Sequence, residues 1–356
     1  MAMFAGVREL FTGIAGLFGV RQSLMGAVGV VGFVGVVGVG CQVAGSGELR
    51  SYLAASDSAC TSAREVLTEA LEVVGSSNDS DLVKAVQVRL HALDTVRACN
   101  HALVSFNANS DEKEVAGNIR GFADSLASLA GSSVYPLADK VKKRAVPISM
   151  VIVRGDELID AEKQRQFLRE AGPGVIALLR VLKEDAPALH EIIAFPLVRK
   201  RDAAFARFVD LGFRFSELAR SRISDPRVNE LLGEMNSLRA GVSLPPGVKK
   251  LPDITPEESS VAENASETDV DTLAALVKEA RQQAALLRRL KQQTDIHAER
   301  MRKYTQVLAA AADSMQSLLD KAEGRKTDPD LQVEELYRQV AWLVRLNRAY
   351  REIKND

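Results

Sequence analysis

Cysteine and histidine are the residue types here with the widest chemistry, and both are rare. The 356 residues contain three cysteines and four histidines. None of them stands at a metal-binding spacing such as CxxC or HExxH, and the sequence has no phosphate-binding glycine loop and no GxSxG nucleophile motif. We therefore expect no metal, no cofactor and no enzymatic activity, and we expect structural roles for the cysteines.

The charge balance bears on the class of partner. The chain carries 46 basic and 47 acidic residues, which gives a net charge of −1. A nucleic-acid-binding protein normally carries a basic excess or a basic face, so we expect no nucleic-acid partner.

The first cysteine, Cys41, ends a long apolar run. From Gln22 to Gly47 there are 26 consecutive uncharged residues, enough to cross a bilayer as a helix. Small residues recur along this run and would let two such helices approach closely. These membrane-segment glycines are Gly26, Gly29, Gly32, Gly35 and Gly38. Residues 1–47 are thus predicted to be a signal or membrane-anchor segment.

The surroundings of Cys41 sharpen that prediction. Arg8 and Arg21 precede the apolar run, and small residues stand directly before the cysteine. This order resembles a bacterial lipoprotein signal, and the resemblance implies lipidation of Cys41. The alternative is an uncleaved anchor in which Cys41 is a plain thiol at the membrane surface. Both interpretations place the remaining chain outside the cytoplasm, in a bacterial cell envelope.

The other two cysteines fall in an expected helical hairpin within residues 48–133, which also hold a third helix. Apolar stripes before and after the turn sequence GSSNDSD at 75–81 predict two antiparallel helices. If the turn is centred between Asp79 and Ser80, antiparallel pairing of the two helices places Cys60 opposite Cys99. An oxidising compartment would then favour a disulfide between them, whereas a reducing one would leave two buried thiols.

Residues 134–240 are expected to be a compact helical region. Its apolar patterns are interrupted by prolines, which predict several short helices; these prolines include Pro173, Pro187 and Pro196. Arginines interleaved with phenylalanines would suit a phosphate-binding face. Because Phe205, Phe208 and Phe215 share one helical stripe, a core role is favoured for them, with the arginines solvated.

A proline-, serine- and acid-rich stretch at 241–268 predicts a linker, and residues 269–356 predict a coiled-coil hairpin. The first helix has a seam with alternating steps of three and four, and Gly324 ends it. The second begins at the Asp328–Pro329 pair and continues the rhythm. The seam positions are Leu273, Leu276, Ala280, Gln283, Leu287, Leu290, Thr294, His297, Met301, Tyr304, Leu308, Ala311, Met315, Leu318 and Ala322, then Val333, Leu336, Val340, Leu343, Asn347 and Tyr350.

Polar residues interrupt the first seam at Gln283, Thr294 and His297, and Asn347 interrupts the second. Such a polar layer usually specifies register at some loss of stability. A second hypothesis concerns His297 alone: a protonated imidazole in an apolar seam is unfavourable, so this residue would make the helix packing sensitive to pH.

Together these patterns predict an all-α protein. The leading hypothesis is a membrane-tethered helical scaffold or interaction protein of a cell envelope, which presents its coiled coil to a protein partner or to a second copy. The alternative is a membrane-active protein that inserts its glycine- and valine-rich segment. That architecture resembles the α-helical pore-forming toxins.

Overall fold

A computed structural model describes residues 46–75, 80–106, 112–131, 161–220, 222, 225–244, 248, 251 and 266–355. The predicted all-α class is confirmed for these residues, which form helices and no strand. The helices are α1 Ser46–Gly75, α2 Ser80–Ser105, α3 Glu112–Gly131, α4 Ala161–Ala219, α5 Pro226–Ala240, α6 Glu267–Ala322 and α7 Pro329–Asn355.

Two very long helices, α4 and α6, form the axis of the described structure. They contain 59 and 56 residues and are therefore each about 85 Å long. They run antiparallel, since Arg169 near the start of α4 donates to the carbonyl of Ala322 at the end of α6. Arg207 near the end of α4 pairs with Glu279 near the start of α6. Every other helix packs against this pair or against a neighbour of it.

The expectation that prolines divide the central region into short helices is wrong for three of them. Pro173, Pro187 and Pro196 all lie inside α4, which continues through each. An interior proline removes one backbone hydrogen bond and disfavours an isolated helix by about 3 kcal/mol. Here, packing against α6 holds α4 together, because apolar side chains along the whole of α4 are buried in the shared cores.

The described residues form two apolar cores. The larger one, the main core, is built from α1, α2, α3, the first half of α4, the second half of α6, and α7. Its long aromatic and aliphatic side chains include Tyr52, Phe122, Leu179 and Tyr304, all nearly inaccessible to solvent. The α1–α3 helices and the α6–α7 hairpin therefore share one interior.

The smaller core, the distal core, joins the second half of α4, α5 and the first half of α6. Phe208 and Phe215 are buried in it and Phe205 packs against it, which confirms the core interpretation of that phenylalanine stripe. Helix α5 begins at Pro226 after an Asp225 cap, whose carboxylate accepts from the backbone of Arg227 at 2.9 Å.

The α6–α7 hairpin follows the predicted seam closely. Of the seam positions on α6, all are buried except Gln283, Thr294 and Ala322, which are half-buried. All six predicted seam positions on α7 are buried. Gly324 follows the end of α6 with a φ of +82°, a left-handed conformation that suits glycine, and α7 starts at Pro329 as predicted.

The α1–α2 pair is antiparallel, but the expected disulfide is absent. Cys60 and Cys99 are both buried and both free. The side chain of Asn100 donates to Ser56 at 2.9 Å, so Cys99 lies level with the residues just after Ser56 and about one helical turn from Cys60. A small difference from the expected register therefore separates the two thiols.

The contacts divide the chain into two units, Met1–Gln42 and Val43–Asp356. The first unit lies wholly outside the described residues, and so do Cys41, the membrane-segment glycines and most of the predicted linker. Among the helices that the structure describes, none combines the length and the apolar character that a membrane crossing requires.

Candidate functional site

A cluster of polar side chains lies inside the main core where α1, α4, α6 and α7 meet. We call it the Arg300 cluster, and it consists of Glu69, His190, His297, Arg300, Asn347 and Tyr350. Charged groups are expensive to remove from water, so such a cluster persists only where its members satisfy one another. Two of the predicted polar seam residues, His297 and Asn347, belong to it.

Arg300 holds the cluster together and is only 2% exposed. One of its terminal nitrogens lies 2.6 Å from Glu69 Oε2 on α1, and its Nε donates to Asn347 Oδ1 on α7 at 3.0 Å. The guanidinium also stacks 4.3 Å from the centre of the Tyr350 ring. A single side chain of α6 thus fixes α1 and α7 at once, through charge, hydrogen bonding and cation–π attraction.

Asn347 and Tyr350 extend these contacts on α7. The amide of Asn347 donates to the backbone carbonyl of Ser62 on α1 at 3.1 Å, so this residue bridges two helices as both donor and acceptor. Burial raises the pKa of the Tyr350 phenol, and the neighbouring Glu69 carboxylate raises it further. Tyr350 is therefore a neutral group throughout the physiological range.

Two histidines stack beside Arg300. The rings of His190 on α4 and His297 on α6 lie with centroids 5.0 Å apart and planes 8° apart, and the Tyr350 ring meets His297 edge-on at 6.2 Å. Burial, followed by the proximity of His190 and Arg300, lowers the pKa of His297 to about 3. Burial also lowers the pKa of His190, against the opposing effect of Glu191. Both rings are accordingly neutral at pH 7.

A second ion pair, between the buried Arg89 and the half-buried Asp185, joins α2 to α4. Arg89 is 1% exposed, and its Nε donates to Asp185 Oδ2 at 2.5 Å, while another nitrogen donates to the Ala85 carbonyl at 2.8 Å. Burial is the main reason that the pKa of the Tyr304 phenol on α6 is raised. Arg89 lowers this pKa and Asp185 raises it, so both lie close to the phenol. This pair fixes α2 against the long axis.

The two free cysteines, Cys60 on α1 and Cys99 on α2, are buried in the main core. Burial raises the pKa of Cys60 to about 12 and also raises that of Cys99. A thiolate is the reactive form of cysteine, so both side chains are unreactive small apolar groups in the closed fold.

The structure separates the predicted polar layer into two kinds of residue. His297 is fully buried and takes part in the Arg300 cluster. Gln283 and Thr294 are only half-buried, and the Thr294 hydroxyl donates to the Leu290 carbonyl of its own helix at 2.8 Å. Gln283 lies in the half of α6 that belongs to the distal core, remote along the helix from His297.

Sequence reasoning missed the charged members of both clusters. Glu69 and Arg300 are 231 positions apart, and Arg89 and Asp185 are 96 apart. Each of them resembles the solvated charges beside it on its own helix. The one local signal is that Arg300 directly precedes the seam residue Met301 and follows His297 by three positions, which places all three on one side of α6.

The Arg300 cluster is chemically suited to fixing helices rather than to receiving a solute, since Glu69, Arg300 and Asn347 are buried and Arg300 bonds to both of the others. Its histidines can still take up a proton. Adding a proton to His297 places a second positive charge next to Arg300 in a medium of low polarity. Glu69, the carboxylate of the cluster, is already engaged by Arg300.

Comparison of the chain with protein-family models, with curated proteins and with solved structures finds no match.

Proposed function

We propose that this protein is a membrane-tethered, all-helical scaffold or interaction protein of a bacterial cell envelope, without enzymatic activity. The observation that carries the proposal is the pair of antiparallel helices α4 and α6, which continue through both apolar cores. A rod of about 85 Å built in this way sets a distance between its two ends. The apolar segment within residues 1–47, lipidated at Cys41 or left as an anchor, would supply the tether.

The buried ion pairs support a role that depends on fixed geometry. Arg300 connects α6 to α1 and α7, and Arg89 connects α2 to α4. Removing either partner leaves a buried charge uncompensated, so sliding or rotation of these helices past one another is strongly opposed. A scaffold needs this resistance, because the position of its interaction surface depends on it.

An interaction surface is available on the outer face of α7. Leu331 and Trp342 are 63% and 48% exposed and lie about three turns apart on the same side of the helix. Lys303 and Arg345 flank the Trp342 ring at 5.7 and 5.6 Å from its centre. Exposed tryptophan framed by cations is typical of protein contact sites. This face would meet a protein partner or a second copy.

The tether is tested by the mass of the mature N terminus of the protein recovered from its native membrane. Two or three acyl chains on Cys41 would support the lipoprotein, and Cys41→Ser should abolish that mass. An intact Met1 in the membrane fraction would instead support the anchor. A chain found only in the soluble fraction would overturn the tether in both forms.

The partner surface is tested separately by chemical cross-linking of the full chain in its native membrane. The double variant Leu331→Glu with Trp342→Glu should lose the cross-linked species. The matched control is Leu286→Glu, because Leu286 is also an exposed leucine, 40% accessible, but lies on α6. Equal cross-linking by both variants would exclude the α7 face as the contact.

A second candidate function is favoured by the stacked histidines. A membrane-active protein resembling the α-helical pore-forming toxins needs a trigger that loosens its helices, and protonation of His190 and His297 would supply one. Leakage of vesicles by the purified full chain at pH 5, with little at pH 7.5 and none for His297→Leu, would favour this function over the scaffold.

A further inference from the structure

A groove of about 480 Å³ lies along the outer side of the α1–α2 pair. One face of α1 from Arg50 to Asp57 forms one wall, and one face of α2 from Asn100 to Val104 forms the other. Small-molecule sites typically have volumes of roughly 300–1,000 Å³, so the groove is of the right size for one. It is separate from the Arg300 cluster, which lies inside the bundle.

The walls of the groove are mainly apolar. Leu53 is 4% exposed and contributes buried apolar surface, while Val104 is 42% exposed. Ala54 lies between Arg50 and Asp57 on the same face of α1, and its short side chain leaves the space open. An aliphatic chain placed here would remove Val104 and Ala54 from water.

The charged groups of the groove favour an anion. Asp57 is already engaged, since its carboxylate accepts from Arg97 at 2.9 Å. Arg50 is exposed and forms no ion pair with any residue that the structure describes. Among the described residues that line the groove, Arg50 therefore offers a guanidinium without an ion-pair partner, and it suits a phosphate or carboxylate.

The wall formed by α2 includes one buried polar side chain, Asn100. Asn100 is 3% exposed, and its amide nitrogen donates to Ser56 at 2.9 Å. Its amide oxygen is buried and has no hydrogen-bond partner within the described ranges. Because that oxygen is closed to solvent, a molecule lying in the groove does not reach it, and Arg50 supplies the polar contact.

We propose that this groove binds a single-chain amphiphile with an anionic head group. The acyl chain lies against Leu53, Ala54 and Val104, and the phosphate or carboxylate pairs with Arg50. The groove is formed by α1 and α2 alone, so the inference goes beyond the proposed scaffold and does not depend on its tether.

The probe is 1-decanoyl-glycerol 3-phosphate with a diazirine in its acyl chain, added to the full chain in nanodiscs of zwitterionic lipid. After irradiation, peptide mapping should place the label on α1 near Ala54 and on α2 near Val104. The matched probe is decanoyl glycerol, which keeps the chain and the hydroxyls but lacks the phosphate. It should label at least ten-fold less, because it offers Arg50 no anion.

Two exposed substitutions test the groove without disturbing the core. Ala54→Leu fills the space and should reduce labelling at least ten-fold, whereas Ala203→Leu, an exposed alanine on α4, should leave it unchanged. Arg50→Gln should remove the preference for the phosphorylated probe, and Arg180→Gln, also exposed on α4, should retain it. Circular dichroism checks that all four variants are folded.

Three outcomes would overturn the proposal. Labelling that Ala54→Leu leaves intact would mean that the chain does not occupy the groove. Displacement by millimolar glycerol 3-phosphate would mean that the head group binds alone and the groove is irrelevant. Labelling spread over many helices would show that the probe reaches the protein nonspecifically from the nanodisc, or that this surface binds a protein. Neither result fits a site for one amphiphile.

Discussion

The main core and the distal core share α4 and α6 but are stabilised differently. Buried charges lie in the main core, where Arg89 and Arg300 are among the largest side chains hidden from solvent. The buried side chains of the distal core are apolar, and its ion pairs, such as Arg207 with Glu279 and Arg222 with Asp269, lie at its surface. At one end the same two helices are thus held by apolar packing and buried polar contacts, and at the other by apolar packing and ion pairs at the surface.

This difference predicts which substitutions each core tolerates. An apolar core accepts substitutions that keep its volume, because its packing is not directional. A buried ion pair fails when either partner is lost, since the remaining charge stays out of water. We therefore expect the register of the bundle to be set mainly in the main core. The following measurements test that difference.

The largest effect is expected for Arg300→Met. It leaves Glu69 buried without its cation, and breaking a buried pair in this way typically destabilises a protein by about 3–5 kcal/mol. Urea unfolding of the full chain measures it. The double variant Glu69→Leu with Arg300→Met should recover most of the loss; if it is as unstable as the single variant, the charge argument is wrong.

In the distal core, Met235→Ala should reduce the free energy of unfolding by about 2–4 kcal/mol, because Met235 is fully buried and the change leaves a cavity. Met235→Leu, which nearly keeps the volume, should change it by less than about 1.5 kcal/mol. A large loss of unfolding free energy for Met235→Leu in the same urea experiment would show that the distal core is as sensitive to substitution as the main core.

Acidification should weaken the main core selectively. Histidine in the unfolded chain titrates near 6.5, and the folded pKa of His297 is about 3. Below pH 6.5 the unfolded state binds the extra proton, so stability falls with pH until about pH 3, by about 2 kcal/mol at pH 5.

The titratable and charged groups next to His297 are His190 on α4, Arg300 on α6 and Tyr350 on α7. Behind them, Glu69 on α1 is bonded to Arg300, and Glu191 on α4 lies near His190. Unfolding of wild type and His297→Leu between pH 7.5 and 5 isolates the contribution of this ring. An identical slope for both proteins would remove His297 as the pH-sensitive element.

The smallest effect is expected at the surface of the distal core. Arg207 pairs with Glu279 at 2.7 Å, but both side chains are well exposed, so Arg207→Met should change stability by less than about 1 kcal/mol. Raising the salt concentration should reduce even that difference. A loss comparable with that of Arg300→Met would erase the distinction between the two cores.

Much of the helical framework was predictable because it depends on local patterns. The seam of α6 and α7, the end of α6 at Gly324 and the start of α7 at Pro329 follow from periodicity and capping, which act over a few residues. His297 was identified because an imidazole interrupts an apolar seam. Its partner His190 was not, since it lies on a helix whose pairing with α6 has no local signature.

The remaining features depend on tertiary packing. Pro187 predicts a break, yet α4 continues through it because α6 supports the helix from outside. Cys60 and Cys99 were expected to meet, but their distance depends on a register that turn residues specify only to within about one helical turn. Arg300 looks like a surface charge until α1 supplies Glu69 from the other end of the sequence.

The separation of 231 positions between Glu69 and Arg300 has a consequence for biosynthesis. A ribosome makes α1 long before α6, so during elongation the carboxylate that ends in the interior has no cation to meet. The N-terminal helices can then associate only loosely, because the main core closes only after the residues of α6 and α7 have been made. A chain that terminates early would expose the apolar faces of α1 and α4 and be a natural substrate for proteases.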